Sequence, residues 1–347
     1  MTLRAGAKLV NMEFMQIGPC VTNPFKFDVG GVLWRLGPRL INGRGEEYLR
    51  KYLPAGVSLE EVYSLKAVSF PFTMRNASGY IDIANFTEII EGRGTENGCV
   101  YFDLSHVDPK ILEAEARIPF RFFLDRGIDI RRKPLEIAPA IQHMNGGILI
   151  NERAEAGIPG LYAAGEAAGG QHGADRPGGN SLADCQVFGA RAGRYAAERA
   201  RETSVASSVE AARKIVEKVE ALSKLRGDLN IEEIKKEIRG IMWRNVSVVR
   251  RGDMLAETVK KLQSYRRLLS SRLNVAENEL IEALELRNMI DTGLAIAKAA
   301  LVRKETRGSH YRVDHPSGDD KRWMKMIEIR MSNGNILVNI RSPIICG

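Results

Sequence analysis

Two glycine-rich segments, each placed beside a strand or a helix, constrain the fold of this chain more than any other feature. The first, "QHMNGGILIN", ends in a short apolar run, and the second, "QHGADRPGGNSLADCQVFGARAG" at 171–193, opens a long predicted helix. Another apolar run, "GLYAAGE", lies between them. Strand, glycine-rich turn and helix in this order are typical of a ligand site in a nucleotide-binding α/β domain.

The second segment has the chemistry of an anion site. Asn180 and Ser181 are residue types that cap helices, and the predicted helix begins near Leu182. The N–H groups of a first helical turn carry partial positive charge, and paired glycines let a ligand approach the backbone. Arg176, on the preceding loop, can hold a carboxylate with two parallel hydrogen bonds. A capped helix with a solvated arginine is an equally good interpretation of these residues alone.

The first segment offers weaker signals of the same kind. His143 and Asn145 precede a glycine pair, and Gly165 and Glu166 end the run "GLYAAGE". His143 can donate a hydrogen bond to an anionic substrate, and the Glu166 carboxylate can accept one from a ribose or ribityl hydroxyl. A polar turn with a satisfied histidine and a solvated glutamate is the structural alternative.

Composition excludes several classes of protein. The 347 residues exceed the needs of one core, and no apolar run approaches the ~20 residues that span a bilayer. The start "MTLRAGAKLVNMEF" lacks the apolar region of a secretory signal, so we predict a cytoplasmic protein that meets a membrane only through a partner. The cysteines are far apart without a CxxC pair, so neither a metal site nor a disulfide framework is indicated: Cys20, Cys99, Cys185 and Cys346.

The net charge of +8 raises the question of nucleic acid. Lys and Arg alternate with Glu over most of the chain, and no basic stripe carries interleaved aromatic residues. We therefore predict no nucleic-acid partner. An acidic ligand or an acidic protein partner accounts for the same charge.

Changes in pattern divide the chain into five segments. Residues 1–17 predict the end of a helix and a short strand, and 18–135 alternate short strands and helices with long turns. Residues 136–204 hold the two glycine-rich segments. Helical periodicity over 205–305 predicts an antiparallel bundle, and the tail, 306–347, contains a hairpin that turns at "SNGN".

These residues, in this order, resemble the flavoprotein subunit family of succinate dehydrogenase and fumarate reductase, which includes L-aspartate oxidase. The resemblance rests on "APAIQHMNGGILIN", "GIPGLYAAGEAAGGQHGADRPGGNSLADCQVFGARAG" and "ALELRNMIDTGLAIAKAALVRKETRGSHYRVDHPSGDD". The runs "LRAGAKLVNMEF" and "EIIEGRG" extend it to nearly the whole chain.

The resemblance implies an α/β FAD-binding domain, here incomplete, an inserted α+β capping domain and a C-terminal helical bundle. It implies hydride exchange between FAD and a small carboxylate or dicarboxylate, with His143 and Arg176 as catalytic and substrate-binding residues and Asn145 beside them. Its cofactor-binding positions in this chain are Gly165, Glu166, Asn180, Ser181 and Leu182. Implied partners are a chain carrying the N-terminal FAD-binding segment and an iron–sulfur electron-transfer subunit. The basic segments "SVVRRGD" and "VRKETRGSHYR" are predicted either to face that acidic partner or to be solvated helix surface.

The chain departs from the family pattern in three places. It contains no G-x-G-x-x-G turn, which in the family holds the ADP half of FAD, so it resembles the C-terminal part of a longer protein. Gly18 stands where the family has a histidine, and Ser78 falls at about the position of its proton-donating arginine. A non-catalytic fragment or assembly subunit without FAD is therefore the alternative hypothesis.

Overall fold

The computed structural model describes residues 1–204 and 209–343, which form two compact units. The first unit comprises Met1–Phe14, Asn145–Glu305 and Gly318–Gly347, and the second comprises Met15–Met144 and Thr306–Ser317. Each unit has its own five-stranded sheet. The chain therefore builds two separate cores, as its length predicts.

The described residues contain twelve α-helices and twelve strands. The helices are α1 (Thr2–Ala5), α2 (Gly31–Arg35), α3 (Leu59–Val68), α4 (Gly79–Ile90), α5 (Pro109–Glu115), α6 (Arg117–Leu124), α7 (Asn180–Glu202), α8 (Val209–Ser223), α9 (Ile231–Val246), α10 (Gly252–Arg272), α11 (Leu280–Val302) and α12 (Asp320–Trp323). The strands are β1 (Leu9–Val10), β2 (Met15–Asn23), β3 (Phe27–Asp28), β4 (Arg39–Ile41), β5 (Val100–Asp103), β6 (Leu135–Met144), β7 (Gly147–Leu149), β8 (Ala168–Gly169), β9 (Val249–Arg250), β10 (Tyr311–Arg312), β11 (Met326–Ser332) and β12 (Asn335–Arg341). Short 3-10 helices span Leu49–Tyr52 and Gly165–Ala167.

The sheet of the first unit has the strand order β12-β11-β1-β7-β8. Its pairs are antiparallel except β7 and β8, which run parallel. The tail folds as the predicted hairpin, with β11 and β12 paired from Met326↔Arg341 to Ser332↔Asn335. Asn333 and Gly334 have φ of 48° and 73°, the left-handed geometry of a two-residue hairpin turn.

The helical part of the first unit packs α9, α10 and α11 side by side. Asn230 caps α9, because its side chain accepts a hydrogen bond from the Glu233 N–H. Helix α11 is the central helix, with eleven buried residues that are mostly alanine, leucine and isoleucine. Small alanine side chains let the neighbouring helices approach it closely. The predicted helical bundle is confirmed.

The sheet of the second unit has the order β3-β2-β6-β5-β4, and all its pairs are antiparallel. Its core includes the fully buried Trp34, whose ring meets Phe102 edge to face at 4.9 Å, and whose Nε1 donates to Val29 O at 3.2 Å. At the sheet edge Arg39 binds the Asp103 carboxylate. The mixed α and β composition confirms the predicted fold class.

The structure corrects three predictions of local structure. "GLYAAGE" is not a strand: it ends in the 3-10 helix Gly165–Ala167, and Tyr162 forms only an isolated bridge with Glu155. Its two glycines have no side chain and its two alanines only a methyl group, so little is available to pack on a sheet face. Helix α7 begins at Asn180 with Gly179 as its N-cap, so neither Asn180 nor Ser181 caps it.

The third correction concerns the basic segments. Arg250 and Arg303 are 0 % exposed and Arg312 is 2 % exposed, so these arginines belong neither to a docking surface nor to a solvated helix face. Arg303 binds the carboxylates of Glu13 and Glu305 at 2.7 Å each, and Arg250 donates to Glu13 O at 2.7 Å. The Arg303 charge is thus paired with carboxylates inside the chain, and Arg250 is held there by backbone carbonyls.

Candidate functional site

The loop before α7 folds back onto the helix it precedes. Asp184, in the second turn of α7 and 7 % exposed, is the attachment point. Its Oδ2 accepts a hydrogen bond from Gln171 Nε2 at 3.2 Å and lies 3.6 Å from His172 Nε2. Gln171 Nε2 also donates to Ala168 O at 3.2 Å. The loop is thus tied both to strand β8 and to the helix.

His172 is held near a positive charge in a buried position. Burial lowers the pKa of His172, the Asp184 carboxylate acts in the opposite direction, and the Arg176 charge lowers it further. The neutral imidazole is therefore favoured at neutral pH. Neither His172 nor Asp184 is predicted from the sequence, because these two residues, with eleven residues between them, come together only when the loop folds back. The one sequence signal for this contact is Asp184 itself, the single charged residue in the first turns of the helix.

Arg176 lies on the loop that leads into the first turn of α7. Arg176 is half-buried and its Nη1 donates to Pro177 O at 3.2 Å. Gly179 has a left-handed backbone with φ of 82°, and no side chain caps the helix. Leu182, in the first turn, is 75 % exposed. An uncapped helix start next to an arginine attracts an anionic or electron-rich group.

Gly165 and Glu166 lie against the same helix. Gly165 has φ of 63°, and a Cβ at this position would lie 2.9 Å from Cys185 Sγ of α7. Glycine therefore permits both the turn and the close approach to the helix. The neighbouring Glu166 is exposed. The predicted cofactor residues on either side of the loop thus belong to one surface.

Asn145 is buried two residues before β7, the strand beside this part of the first unit. Its N–H donates to Phe14 O at 3.0 Å, but within the described ranges 1–204 and 209–343 its fully buried side-chain Oδ1 and Nδ2 have no hydrogen-bond partner. Two residues on, a Cβ at Gly147 would lie 2.6 Å from Ala167 O, so β7 runs directly beside the 165–169 turn. A buried amide with both atoms unpaired is costly unless a ligand or water pairs with it.

The predicted residues of the second unit lie on and beside its sheet. His143 is 3 % exposed on β6, where it is paired in register with the buried Gln16 of β2. Gly18 follows on β2, and the half-buried ring of Phe70 covers it: a Cβ at Gly18 would lie 2.9 Å from Phe70 Cε1 and Cζ. Ser78 precedes α4 and is fully buried. A phenyl ring thus stands where a side chain at position 18 would project.

Helix α7 is almost wholly uncovered. Of its 23 residues, all within the described part of the chain, Asp184 alone is buried. Leu182 and Val187 are 75 % and 48 % exposed. Long helices in globular proteins gain most of their stability from packing an apolar face, so this face needs a partner.

Two family models match the chain. One, described as FAD binding domain, matches residues 1–182, and another, described as Fumarate reductase flavoprotein C-term, matches residues 235–342. In the described ranges no helix is long and apolar enough to cross a membrane, and no cluster of three or more His, Cys, Asp or Glu side chains that could hold a metal ion occurs there.

Curated relatives and solved structures of this kind cover the chain along nearly its full length. A subunit of the fumarate reductase (CoM/CoB) of Methanothermobacter marburgensis is 37 % identical over 90 % of this chain and 55 % of its own length. The succinate dehydrogenase flavoprotein subunit of Rickettsia bellii is 31 % identical over 94 % of this chain and 55 % of its own length. Sdh1 of Mycobacterium smegmatis in complex with UQ1 superposes with a TM-score of 0.81 at 28 % identity, covering 99 % of this chain and 57 % of its own. E. coli quinol fumarate reductase FrdA superposes with a TM-score of 0.78 at 26 % identity, covering 100 % of this chain and 61 % of its own. The chain therefore spans little more than half the length of the relatives it matches.

Proposed function

The chain belongs to the fumarate reductase and succinate dehydrogenase flavoprotein family, and from this premise we propose that it supplies the flavin-facing and substrate-binding part of an FAD-dependent oxidoreductase. The substrate is a small carboxylate or dicarboxylate, and the reaction is hydride exchange with one of its carbons. The observation that carries the proposal is the single surface of the first unit on which Asn145, Gly165, Glu166 and the uncapped start of α7 meet.

The residues of this surface fit the flavin part of FAD. The buried, unpaired amide of Asn145 can donate to and accept from the polar edge of a flavin ring. The Ser181 N–H at the helix start can donate to an electron-rich ring edge and Leu182 can lie against the ring, although the Leu182 N–H itself already donates to Gly179 O at 3.1 Å. The exposed Glu166 carboxylate can accept a hydrogen bond from a ribityl hydroxyl. Bound FAD supplies the group that accepts or gives the hydride.

Arg176 and His143 are proposed to bind the substrate. The Arg176 guanidinium can hold one carboxylate through two parallel hydrogen bonds, which fixes both position and orientation. The neighbouring His172 is kept neutral, so it donates one hydrogen bond without adding a second positive charge. His143 is proposed as a substrate-binding residue of the second unit, where its ring can donate a hydrogen bond to an anionic group.

We propose that the exposed face of α7 receives a polypeptide segment that binds the ADP half of FAD. The exposed Leu182 and Val187 support this. The M. marburgensis relative extends beyond the part that this chain covers, which is 55 % of its length. The proposed assembly is completed by an iron–sulfur electron-transfer subunit, through which it associates peripherally with a membrane.

The test is to co-express the chain with the portion of the M. marburgensis protein that this chain does not match, and to measure flavin absorbance in the purified complex. We expect bound flavin, and an exchange of Leu182→Lys together with Val187→Lys should abolish both co-purification and colour. Ile118→Lys, equally exposed but in the second unit, is the control and should change neither. A colourless wild-type complex refutes the proposal.

Arg176→Ala tests the substrate site. We expect retained flavin and a fall of roughly 100-fold in kcat/KM, because one charge-assisted bidentate contact is lost. Arg201→Ala, at an exposed arginine of the same helix, should leave turnover unchanged.

The second candidate is an assembly protein that binds no FAD. It is favoured by the same exposed α7, which would then be a binding face rather than half of a cofactor site. It predicts that Arg176→Ala leaves partner binding intact in a complex that is colourless throughout.

A further inference from the structure

A cavity opens in the helical part of the first unit, between α8, α10 and α11. Its volume is about 510 Å³. Small-molecule sites typically have roughly 300–1,000 Å³, and the space between the helices of a bundle is one of their usual places. The lining residues all belong to the first unit, and none of them is part of the surface proposed for FAD and substrate.

Much of the cavity lining is apolar. Leu269, Leu273 and Ala283 are at most 7 % exposed and form its buried part, on α10, at the end of that helix and on α11. Leu222 of α8 and Leu225, which follows this helix, are half-buried and also line the cavity. Such a lining favours a ligand with an apolar body, because contact with these side chains removes apolar surface from water.

Helix α8 is the least buried helix of the bundle. None of its 15 residues, all in the described part of the chain, is buried, whereas α9, α10 and α11 have six, five and eleven buried residues. Lys218, Ala221 and Leu222 line the cavity at the spacing of one helix face. Because a helix gains most of its stability by packing such a face, a ligand in the cavity would stabilise α8.

The charged residues of the lining favour an anion. Asp291 is the single carboxylate among them, and its Oδ1 and Oδ2 accept hydrogen bonds from Arg266 Nε at 2.7 Å and from Arg4 Nη1 at 2.6 Å. Arg287 of α11 and Lys218 of α8 are exposed, and their side chains form no hydrogen bond or ion pair with any residue that the structure describes. Two unpaired cations beside an apolar cavity attract an anionic head group, and a guanidinium can hold a carboxylate with two parallel hydrogen bonds.

We propose that this cavity binds a small amphiphilic carboxylate, with its apolar body among the leucines of α8 and α10 and its carboxylate held by Arg287 and Lys218. The ligand joins α8 to the rest of the bundle. An alcohol or a cation with the same apolar body lacks the charge-assisted contacts and therefore binds more weakly. The site is independent of the proposed redox function, because the two share no residue.

The first experiment measures binding to the full chain by isothermal titration calorimetry. The probes are decanoate, decan-1-ol and decyltrimethylammonium, which share an apolar chain and differ in head-group charge, each used below the concentration at which it forms micelles. We expect a saturable decanoate site with a Kd roughly 10-fold or more below that of the other two probes. Equal affinity for all three probes, or no saturable decanoate binding, overturns the proposal.

Substitutions then test the two parts of the site. Ala221→Phe places a larger side chain at an exposed position of the lining, so it takes ligand space without entering the core, and it should weaken decanoate binding roughly 10-fold or more. Lys218→Gln/Arg287→Gln should weaken decanoate binding by a similar factor and leave decan-1-ol binding unchanged.

Arg244→Gln/Lys260→Gln is the matched control. It removes two exposed cations of α9 and α10 that do not line the cavity, and it should change the binding of neither probe. Wild-type decanoate affinity in both Ala221→Phe and Lys218→Gln/Arg287→Gln places the ligand elsewhere and overturns the proposal.

Hydrogen exchange locates the ligand in the chain. We expect decanoate to slow amide exchange in α8, Val209–Ser223, of the wild type but not of Ala221→Phe. Slowed exchange confined to α7, the other exposed helix, overturns the proposal. Neither measurement needs flavin, so a complex without flavin refutes only the proposed function, and failure of decanoate to bind refutes only this site.

Discussion

The contact between Gly18 and Phe70 gives the most direct test of packing at the candidate site. We predict that Gly18→Ala destabilises the wild-type second unit but stabilises a Phe70→Ala variant of it. In the wild type the new methyl group would lie 2.9 Å from Phe70 Cε1 and Cζ, well inside the 3.4–4 Å of ordinary contact. In the Phe70→Ala background that obstacle is gone.

The expected sizes follow from two opposing effects. Overpacking costs about 1 to 3 kcal/mol, and the lower part of this range applies because the half-exposed Phe70 ring has room to turn. Replacing a strand glycine by alanine recovers about 0.4 to 1 kcal/mol by restricting the unfolded chain. We therefore expect Gly18→Ala to cost about 1 kcal/mol in the wild type and to gain about 0.5 kcal/mol with Phe70→Ala, a coupling of about 1.5 kcal/mol.

The assay is a double-mutant cycle measured by urea unfolding. Trp34 is the single tryptophan of the second unit, so with Trp243 and Trp323 replaced by phenylalanine its fluorescence reports that unit alone. Gly30→Ala, where a Cβ meets nothing within 4 Å, is the control and should show no coupling to Phe70. Additivity of Gly18→Ala and Phe70→Ala within about 0.5 kcal/mol would refute the contact.

Three further predictions concern the two units separately. Arg303→Met should cost the first unit about 3 to 5 kcal/mol in thermal unfolding, because it leaves two buried carboxylates uncompensated; a loss below 1 kcal/mol would contradict the buried network. In the second unit, burial opposes ionisation of Glu88, but hydrogen bonds from Arg93 and its other neighbours outweigh it and lower its pKa to about 2. Because the pKa of Glu88 is lower in the folded than in the unfolded state, this carboxylate stabilises the unit above about pH 4.5, and roughly 2 kcal/mol of that stability is lost as the pH falls toward 2. Glu88→Gln should therefore make the unfolding free energy, measured by Trp34 fluorescence, less sensitive to acid. Asn145→Leu, which removes a buried amide without partners among the described residues, should leave the unfolding free energy of the chain unchanged or raised while flavin binding in the complex weakens at least 10-fold; a destabilised chain would show that the amide has an internal role.

Much of the fold follows from periodicity and turn chemistry. The apolar spacing within α9, α10 and α11 predicts the bundle, and the pair Asn333-Gly334 predicts the hairpin turn. Each of these signals is local, because it depends only on residues a few positions apart along the chain. The segment "GLYAAGE" shows the limit of such patterns. Its apolar residues predict a strand, but it ends in a 3-10 helix, where Gly165 has a left-handed backbone and lies close to Cys185 of α7.

The site is predictable only where its residues are close in sequence. Arg176 and the start of α7 are neighbours in sequence, so the sequence predicts that they lie together. The contact between Asp184 and His172 depends instead on how the loop folds back onto the helix. The charge pattern is misleading at Arg250, Arg303 and Arg312, because basic residues are expected at the surface and these three are buried. Arg250 and Arg303 both bind Glu13, which is distant in sequence, whereas Arg312 binds the neighbouring Asp314.

The hydrogen bond from Asn145 N to Phe14 O at 3.0 Å brings together the two points where residues 15–144 leave and rejoin the first unit. Met15 and Met144 are register partners at the ends of β2 and β6, so the insertion begins and ends at one place. The inserted residues carry the apolar core of the second unit, to which Thr306–Ser317 also belongs through the hydrogen bond from Met74 N to Gly308 O at 2.8 Å. Because the insertion adds a single loop closure to the first unit, a lineage can alter Gly18 and Phe70 within it without changing the path of the first unit's chain.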